Sequence, residues 1–449
     1  MVRLRFAPSP TGYLHVGGLR TALFCWLYTR KNSGKFIFRL EDTDQKRIFE
    51  GAENQLTSML EWSGIEIDEG PQYGGIHGPY RQSERLDIYA QYIRLLLDEG
   101  NAYRCFCTSE RLEKLRNEQR KKGNTPRYDG FCRNLSKSEA SRRAESGEDY
   151  VVRMKIPEVP ETMVLNDLIR GIVSIETSQS EDQVIVKSDG FPTYHLAVVI
   201  DDYLMKITHV VRGEEWIPSF PKHLLLYRYF GWDPPQFAHL PLILNPDRSK
   251  LSKRQGDVAV EDFRNNGFLP ESLVNFVAML GWSPGEDKEL FTLPELIREF
   301  SFERVNKSGA IFDQEKLNWM NSQYIKTSSD NYITSAITTI LSDYCETNMI
   351  ELETPITQDA ITTVLDILKE RVKTINPEEM WPVCNFFFET PEPNEQQRLL
   401  VKSKASLSSE IYEEAINTIN SIEEGIRTMN IALAMKKSAK MKKMVQIKS

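Results

Sequence analysis

The chain has 449 residues, 40% of them hydrophobic, and a formal net charge of −8. That length supplies more than one domain with real cores, and no apolar run approaches the ~18 to 20 residues needed to cross a membrane. The acidic total argues against a protein that coats nucleic acid, so an RNA partner needs local basic faces. Six cysteines in so long a chain do not make a disulfide framework and read as thiols in a reducing compartment. Arg3 and Arg5 lead directly into a Pro/Gly loop with no apolar targeting core, so a cytoplasmic protein is expected.

Residues 2–6 alternate as a short strand does, Pro8 and Pro10 stiffen the exit, and an amphipathic helix over 19–31 begins beside His15, Gly17 and Gly18. A strand, a Gly-rich loop and a helix N-terminus leave backbone N–H groups and the positive dipole end pointing outward, which suits a phosphate or adenine. An ordinary β-to-α turn has the same glycine spacing. Residues 34–40 read as a strand ending in Glu41-Asp-Thr-Asp44. These acidic residues either face a ligand at a strand's carboxyl edge, or Thr43 or Asp44 caps the segment from Gln45. A helix is expected over 83–100.

From about residue 103 to 185 the character changes, with three cysteines, a Lys/Arg-rich helix over 109–122 and a strand-like piece over 150–156. The basic helix reads first as a solvated face, second as an RNA contact. Cys105-x-Cys107 and, further on, Cys132 offer three thiolates that hold Zn²⁺ if a fourth ligand exists. Cys25, Cys345 and Cys384 read as buried small apolar residues. Strands over 183–187, 209–212 and 238–244 and helices over 193–199 and 218–230 then restore an α/β pattern. Lys250 and Lys253 lie three residues apart in a polar loop. After Val258 the period is helical almost throughout, with segments over 271–280, 293–300, 314–325, 359–374 and 409–422 and turns at 281–285 and 391–394.

Arg3 to Gly18, with Phe6-Ala-Pro-Ser-Pro-Thr-Gly-Tyr-Leu-His-Val-Gly-Gly18, and the loop Lys250-Leu-Ser-Lys-Arg254 resemble the paired ATP signatures of class I aminoacyl-tRNA synthetases, His-x-Gly-His and Lys-Met-Ser-Lys-Ser. With Leu40-Glu-Asp-Thr-Asp44, Pro126-Arg-Tyr-Asp-Gly130, Ser188-Asp-Gly-Phe-Pro-Thr-Tyr-His-Leu196 and Val211-Arg-Gly-Glu-Glu-Trp216, the resemblance narrows to the glutamyl type and runs from residue 3 to about 325. It implies an α/β fold: a Rossmann-like catalytic domain in two halves, 1–102 and 188–245, an inserted α+β acceptor-binding domain at 103–187, a stem-contact domain at 246–326 and an all-α anticodon-binding region at 327–449. The Lys-rich end, 432–449, does not look like the family's closing helices.

The implied activity is ligation of L-glutamate to its tRNA through an adenylate, by a monomer with ATP and Mg²⁺. His15, Lys250 and Lys253 would be catalytic, with Gly17, Gly18, Glu215 and Trp216 also at ATP. By the same resemblance Arg5, Ser9, Glu41, Tyr194 and Arg212 line the glutamate site. The charge types fit, since glutamate's two carboxylates and ammonium require two cations and an anion. Arg5 against the side-chain carboxylate would reject glutamine, whose amide donors face a group with no acceptor. Some relatives have Asn in the pocket where this chain has Val198. Some bind zinc with a tyrosine as fourth ligand, a place that Tyr128 matches. Two other readings are an enzyme that also charges tRNA for glutamine, and a catalytically silent tRNA-binding relative.

Overall fold

The structure, a computed structural model, describes residues 1–251, 258–285 and 287–389. The expected helix over 409–422, the turn at 391–394 and the Lys-rich end lie outside the described residues. The chain divides into two units, Met1–Tyr324 and Ile325–Ser449.

In chain order, the first unit contains β1 (Arg3–Phe6), α1 (Val16–Lys31), β2 (Lys35–Phe38), α2 (Ala52–Trp62), α3 (Leu86–Asp98), β3 (Ala102–Cys105), α4 (Ser109–Lys121), α5 (Lys137–Glu145) and β4 (Val151–Met154). It continues with β5 (Thr162–Asp167), β6 (Gly171–Glu176), β7 (Val184–Val186), α6 (Tyr194–Leu204), β8 (His209–Gly213), α7 (Phe220–Tyr229), β9 (Gln236–Leu240), β10 (Ile243–Leu244), α8 (Val260–Asn265), α9 (Pro270–Ala278), α10 (Leu293–Glu299) and β11 (Ala310–Ile311). The division between units falls within α11 (Gln314–Thr327). The strand expected over 238–244 is split because Pro241 has no N–H for a ladder.

The main sheet runs β2-β1-β8-β9-β5-β6. All its pairings are parallel except that of β6, which returns antiparallel to β5 at the edge. β5 and β6 lie inside the segment expected as an inserted module, yet β5 pairs with β9 through Asp167 and Phe237. The remaining strands of that segment form a separate sheet, β3-β4-β7. On α1, Leu19, Leu23 and Leu27 recur every four residues and are wholly buried, each contributing about 1.5 to 3 kcal/mol of burial free energy. The helix packs on β1, β2 and β8, and on α9 and α10, which anchors its N-terminus at the carboxyl edge of β1.

In the second unit α12 (Asp330–Thr347), α13 (Gln358–Arg371) and α14 (Pro377–Cys384) pack on one another. α12 buries Ile333, Ile337 and Leu341 at four-residue spacing. No helix among the described residues is long and apolar enough to cross a membrane.

Candidate active site

β1 leads through α1 to β2 on one side and hydrogen-bonds to β8 on the other, so the strand order switches between β1 and β8. The loops leaving the carboxyl ends of two such strands diverge and open a crevice, where parallel sheets bind ligands. A cavity of about 520 Å³ occupies that place. Its walls include Arg5 and Ser9 from β1 and its loop, His15, Gly17 and Gly18 from the start of α1, Glu41 beyond β2, Tyr194 at the start of α6, Arg212, Glu215 and Trp216 from β8 onward, and Lys250. Val198 is instead buried in the core.

His15 is the N-cap of α1 and its Nδ1 accepts from the Gly17 amide at 3.0 Å. A neutral ring in this pose carries its proton on Nε2. A side chain at Gly18 would press to 3.2 Å from Leu14 and 3.6 Å from Phe6, so glycine lets α1 sit close against β1. The start of α8 and the residues before it reach this mouth through main-chain bonds, Val16 N–H to the Val258 carbonyl at 2.9 Å and Val260 N–H to the Leu14 carbonyl at 2.8 Å. Lys250 lies 3.5 Å from Glu215, both side chains being about half exposed. Lys253 and Arg254 lie outside the described residues.

Below the cavity the charges are paired. Asp202 accepts from Arg5 Nε at 2.9 Å and from Arg39 Nη1 at 2.7 Å, and Arg39 Nη2 donates to Glu41 at 3.0 Å. Burial opposes ionisation of Asp202, yet Arg5 and Arg39 hold its carboxyl below the ordinary range. Burial pushes the Glu41 carboxyl up against the pull of Arg39 and Arg5. Arg5, expected to partner the side-chain carboxylate of the ligand, gives three N–H groups to Asp202 and the Val211 carbonyl, leaving two. Arg212 differs, because its Nη2 is buried with no hydrogen-bond partner among the described residues. The capping alternative for Asp44 fails: it precedes a three-residue 3₁₀ turn, Gln45–Arg47, without a side-chain capping bond.

Residues 1–319 match the family model described as "tRNA synthetases class I (E and Q), catalytic domain". The chain belongs to this family. It is 50% identical to the glutamate--tRNA ligase of Clostridioides difficile over 413 residues, covering 89% of this chain and 83% of the relative. It is 51% identical to that of Chlorobaculum parvum, covering 88% and 80%. Among solved structures, the glutamate-tRNA synthetase of Elizabethkingia anophelis matches with a TM-score of 0.80 at 40% identity, covering 93% of this chain and 90% of that one. A glutamate tRNA ligase from Elizabethkingia meningosepticum, solved in complex with its amino acid, matches with a TM-score of 0.79 at 39% identity, covering 93% and 89%.

Elsewhere in this class I synthetase, the sulfur atoms of Cys105, Cys107 and Cys132 lie within 4.8 Å of one another. The Tyr128 hydroxyl is 3.3 Å from the Cys105 sulfur and 3.6 Å from that of Cys107. Four soft or phenolic donors converging on one half-buried point fit a structural zinc ion. The thiols of Cys25, Cys345 and Cys384 are buried apart from this group.

Sequence reasoning missed Arg20, Asp202, Asp167, His223 and His239. Arg20 lines the synthetase cavity and donates to the Leu280 and Pro241 carbonyls. Burial lowers its pKa to about 10. The available signal was charge inside apolar runs, as in Val198-Val-Ile-Asp-Asp202, since a carboxylate on a buried helix face needs a buried cation.

Proposed function

We propose that this synthetase joins L-glutamate to the 3′ end of tRNA for glutamate in two steps, as a cytoplasmic monomer. A glutamate carboxylate oxygen attacks the α-phosphorus of ATP, the bond to the bridging oxygen breaks and pyrophosphate leaves. A terminal ribose hydroxyl of the tRNA then attacks the adenylate carbonyl, AMP departs and the hydroxyl proton passes to solvent. The observation that carries this reading is one cavity walled by the N-terminus of α1, by Lys250 and by a buried guanidinium, Arg212.

Each residue has a role suited to its chemistry. His15 and the amides of Gly17 and Gly18 meet the triphosphate, where fixed donors stabilise charge as it develops. Lys250 and Lys253 supply the phosphates with compact positive charge. Glu215 and Trp216 flank the nucleotide, and Mg²⁺ carried on the phosphates would supply further positive charge. Arg212 and the two remaining N–H groups of Arg5 take the carboxylates of glutamate, Glu41 takes its ammonium, and Ser9 and Tyr194 fix its orientation. Cys105, Cys107, Cys132 and Tyr128 would hold a structural zinc that joins β3 to the turn before α5.

The test is charging of purified tRNA for glutamate and of tRNA for glutamine in separate reactions at one stated salt concentration, since RNA affinity varies with salt. Glutamate is expected on the former and not the latter. No transfer to tRNA for glutamate by folded protein would overturn the assignment.

A further inference from the structure

Three of the chain's six histidines surround Arg212. The Arg212 Nε–H points at His239 Nε2, 3.0 Å away on β9. Nδ1 of the same ring lies 2.6 Å from Asp167 Oδ2 at the end of β5. Asp167 also accepts from the amides of His239, Ile169 and Arg170. A carboxylate so bonded has only lone pairs to offer, so His239 must carry its proton on Nδ1 and turn a bare Nε2 to Arg212. On the other side, Arg212 Nη1 lies 2.9 Å from His223 Nδ1 on α7, and His223 Nε2 lies 3.0 Å from His195 Nδ1 on α6. An arginine cannot accept, so His223 receives at Nδ1 and donates from Nε2 to His195.

The His239 tautomer is thus fixed by its outer partner Asp167, and the His223 tautomer by Arg212 itself. His223 and His239 are at most 2% exposed, which leaves water little access to replace them. Burial holds the His223 and His239 rings below their ordinary pKa, and His195 at about 4. The charged neighbours facing this group are Arg212 itself, Lys222 on α7, Asp167 on β5 and Arg170 beyond it. A guanidinium gripped at Nε and Nη1 by neutral rings is held on two sides, and Arg212 lines the cavity in that pose.

We propose that His223 and His239 are positioning residues that hold Arg212 in the pose that binds a carboxylate of the amino acid, orienting the cation without neutralising it. A carboxylate in their place would grip the guanidinium equally well but cancel the charge the ligand must meet. This inference rests on the reading that Arg212 faces the amino acid, and the test separates the two.

Aminoacylation kinetics on the full chain with its tRNA are compared for Arg212→Lys, His223→Leu and His223→Asn. Asn places its carbonyl oxygen near the position of Nδ1 and so returns the acceptor. His223→Leu is expected to raise the glutamate KM by about tenfold or more, with the ATP and tRNA KM values within about twofold. His223→Asn is expected to restore most of the loss. An unchanged glutamate KM in His223→Leu, an equal rise for ATP, or no rescue by Asn would overturn the proposal. If His223→Leu does not fold, His239→Gln, which keeps an acceptor but loses the Asp167 tether, decides: a selective rise in glutamate KM supports the proposal and its absence defeats it. If Arg212→Lys leaves the glutamate KM unchanged, the site reading itself fails. If Arg212→Lys raises it and His223→Leu does not, only the positioning role falls.

Discussion

Asp202→Asn tests the electrostatics beneath the cavity. Three carboxylates, Asp201, Asp202 and Glu41, face three guanidinium groups, Arg5, Arg39 and Arg85, and all six residues are buried. Asparagine keeps the shape of Asp202 but turns a balanced cluster into one with an excess positive charge, and with its carbonyl in the place of Oδ1 it sets amide hydrogens against Arg5 Nη2. At an effective dielectric of about 20, an ion pair near 4 Å is worth about 4 kcal/mol, so two lost pairs remove about 8. The several kcal/mol no longer spent dehydrating a carboxylate offset part of this, leaving a net destabilisation of about 3 to 5 kcal/mol, as expected when one partner of a buried pair is removed. With a urea m-value of about 3 kcal/mol/M or more for a chain of this size, the unfolding midpoint of the first unit should fall by about 1 M. The glutamate KM should rise as well, because Arg5 loses its bidentate tether. A midpoint shift under about 0.3 M would refute the claim that this cluster is charged and tightly paired.

Acid should weaken the fold from pH 6.5 downward. The unfolded chain takes up protons at histidines near that pH, whereas half-buried His195 stays neutral to about pH 4; stability is therefore complete above 6.5 and lost as pH falls through this window, by about 2 kcal/mol at pH 5 from this ring alone. Urea midpoints that hold constant from pH 7.5 to 5 would contradict it. Protein made in zinc-replete medium should carry one equivalent of zinc, and a chelator should loosen the β3-β4-β7 sheet as seen by hydrogen exchange; metal-free protein with equal protection would dismiss the site. Lys250→Ala should slow adenylate formation about 100-fold while tRNA affinity holds, and equal losses in both would contradict a phosphate role.

How far the sequence could be read depended on how local each determinant is. β1, the loop to His15 and α1 were legible because strand alternation, proline, glycine and helix spacing all act within some thirty neighbouring residues. The β5–β6 hairpin was not, since what makes Thr162–Asp167 part of the main sheet is its pairing with Phe237, far along the chain. α12 lies in the region expected to be helical but was not singled out, because its run of Thr and Ile residues favours strands locally, while Ile333, Ile337 and Leu341 are buried where it packs with α13 and α14. At the site, the charged residues that line the cavity were legible from the motifs. The partners that orient them were not. A histidine in an apolar stretch, such as His223 in Phe220–Tyr229, carries no mark of what it touches.

The same distinction accounts for how the cavity keeps its charge. Arg5 and Arg39 share Asp202, so together they present about one net positive charge, and Glu41 beside Arg39 cancels much of that. Without a further cation, a dianionic amino acid side would meet a floor close to neutral. Arg212 supplies that cation, and it does so because its two ring partners accept hydrogen bonds without carrying charge. Its Nη2 is buried with no hydrogen-bond partner among the described residues, a state that costs free energy unless an acceptor meets it. On the proposed reading, in which Arg212 and Arg5 meet the carboxylates of glutamate, the site selects for a ligand that brings a carboxylate to this cation. An amide at that position would offer only its carbonyl oxygen, a neutral acceptor in place of a charged one, and discrimination between the two follows from that difference.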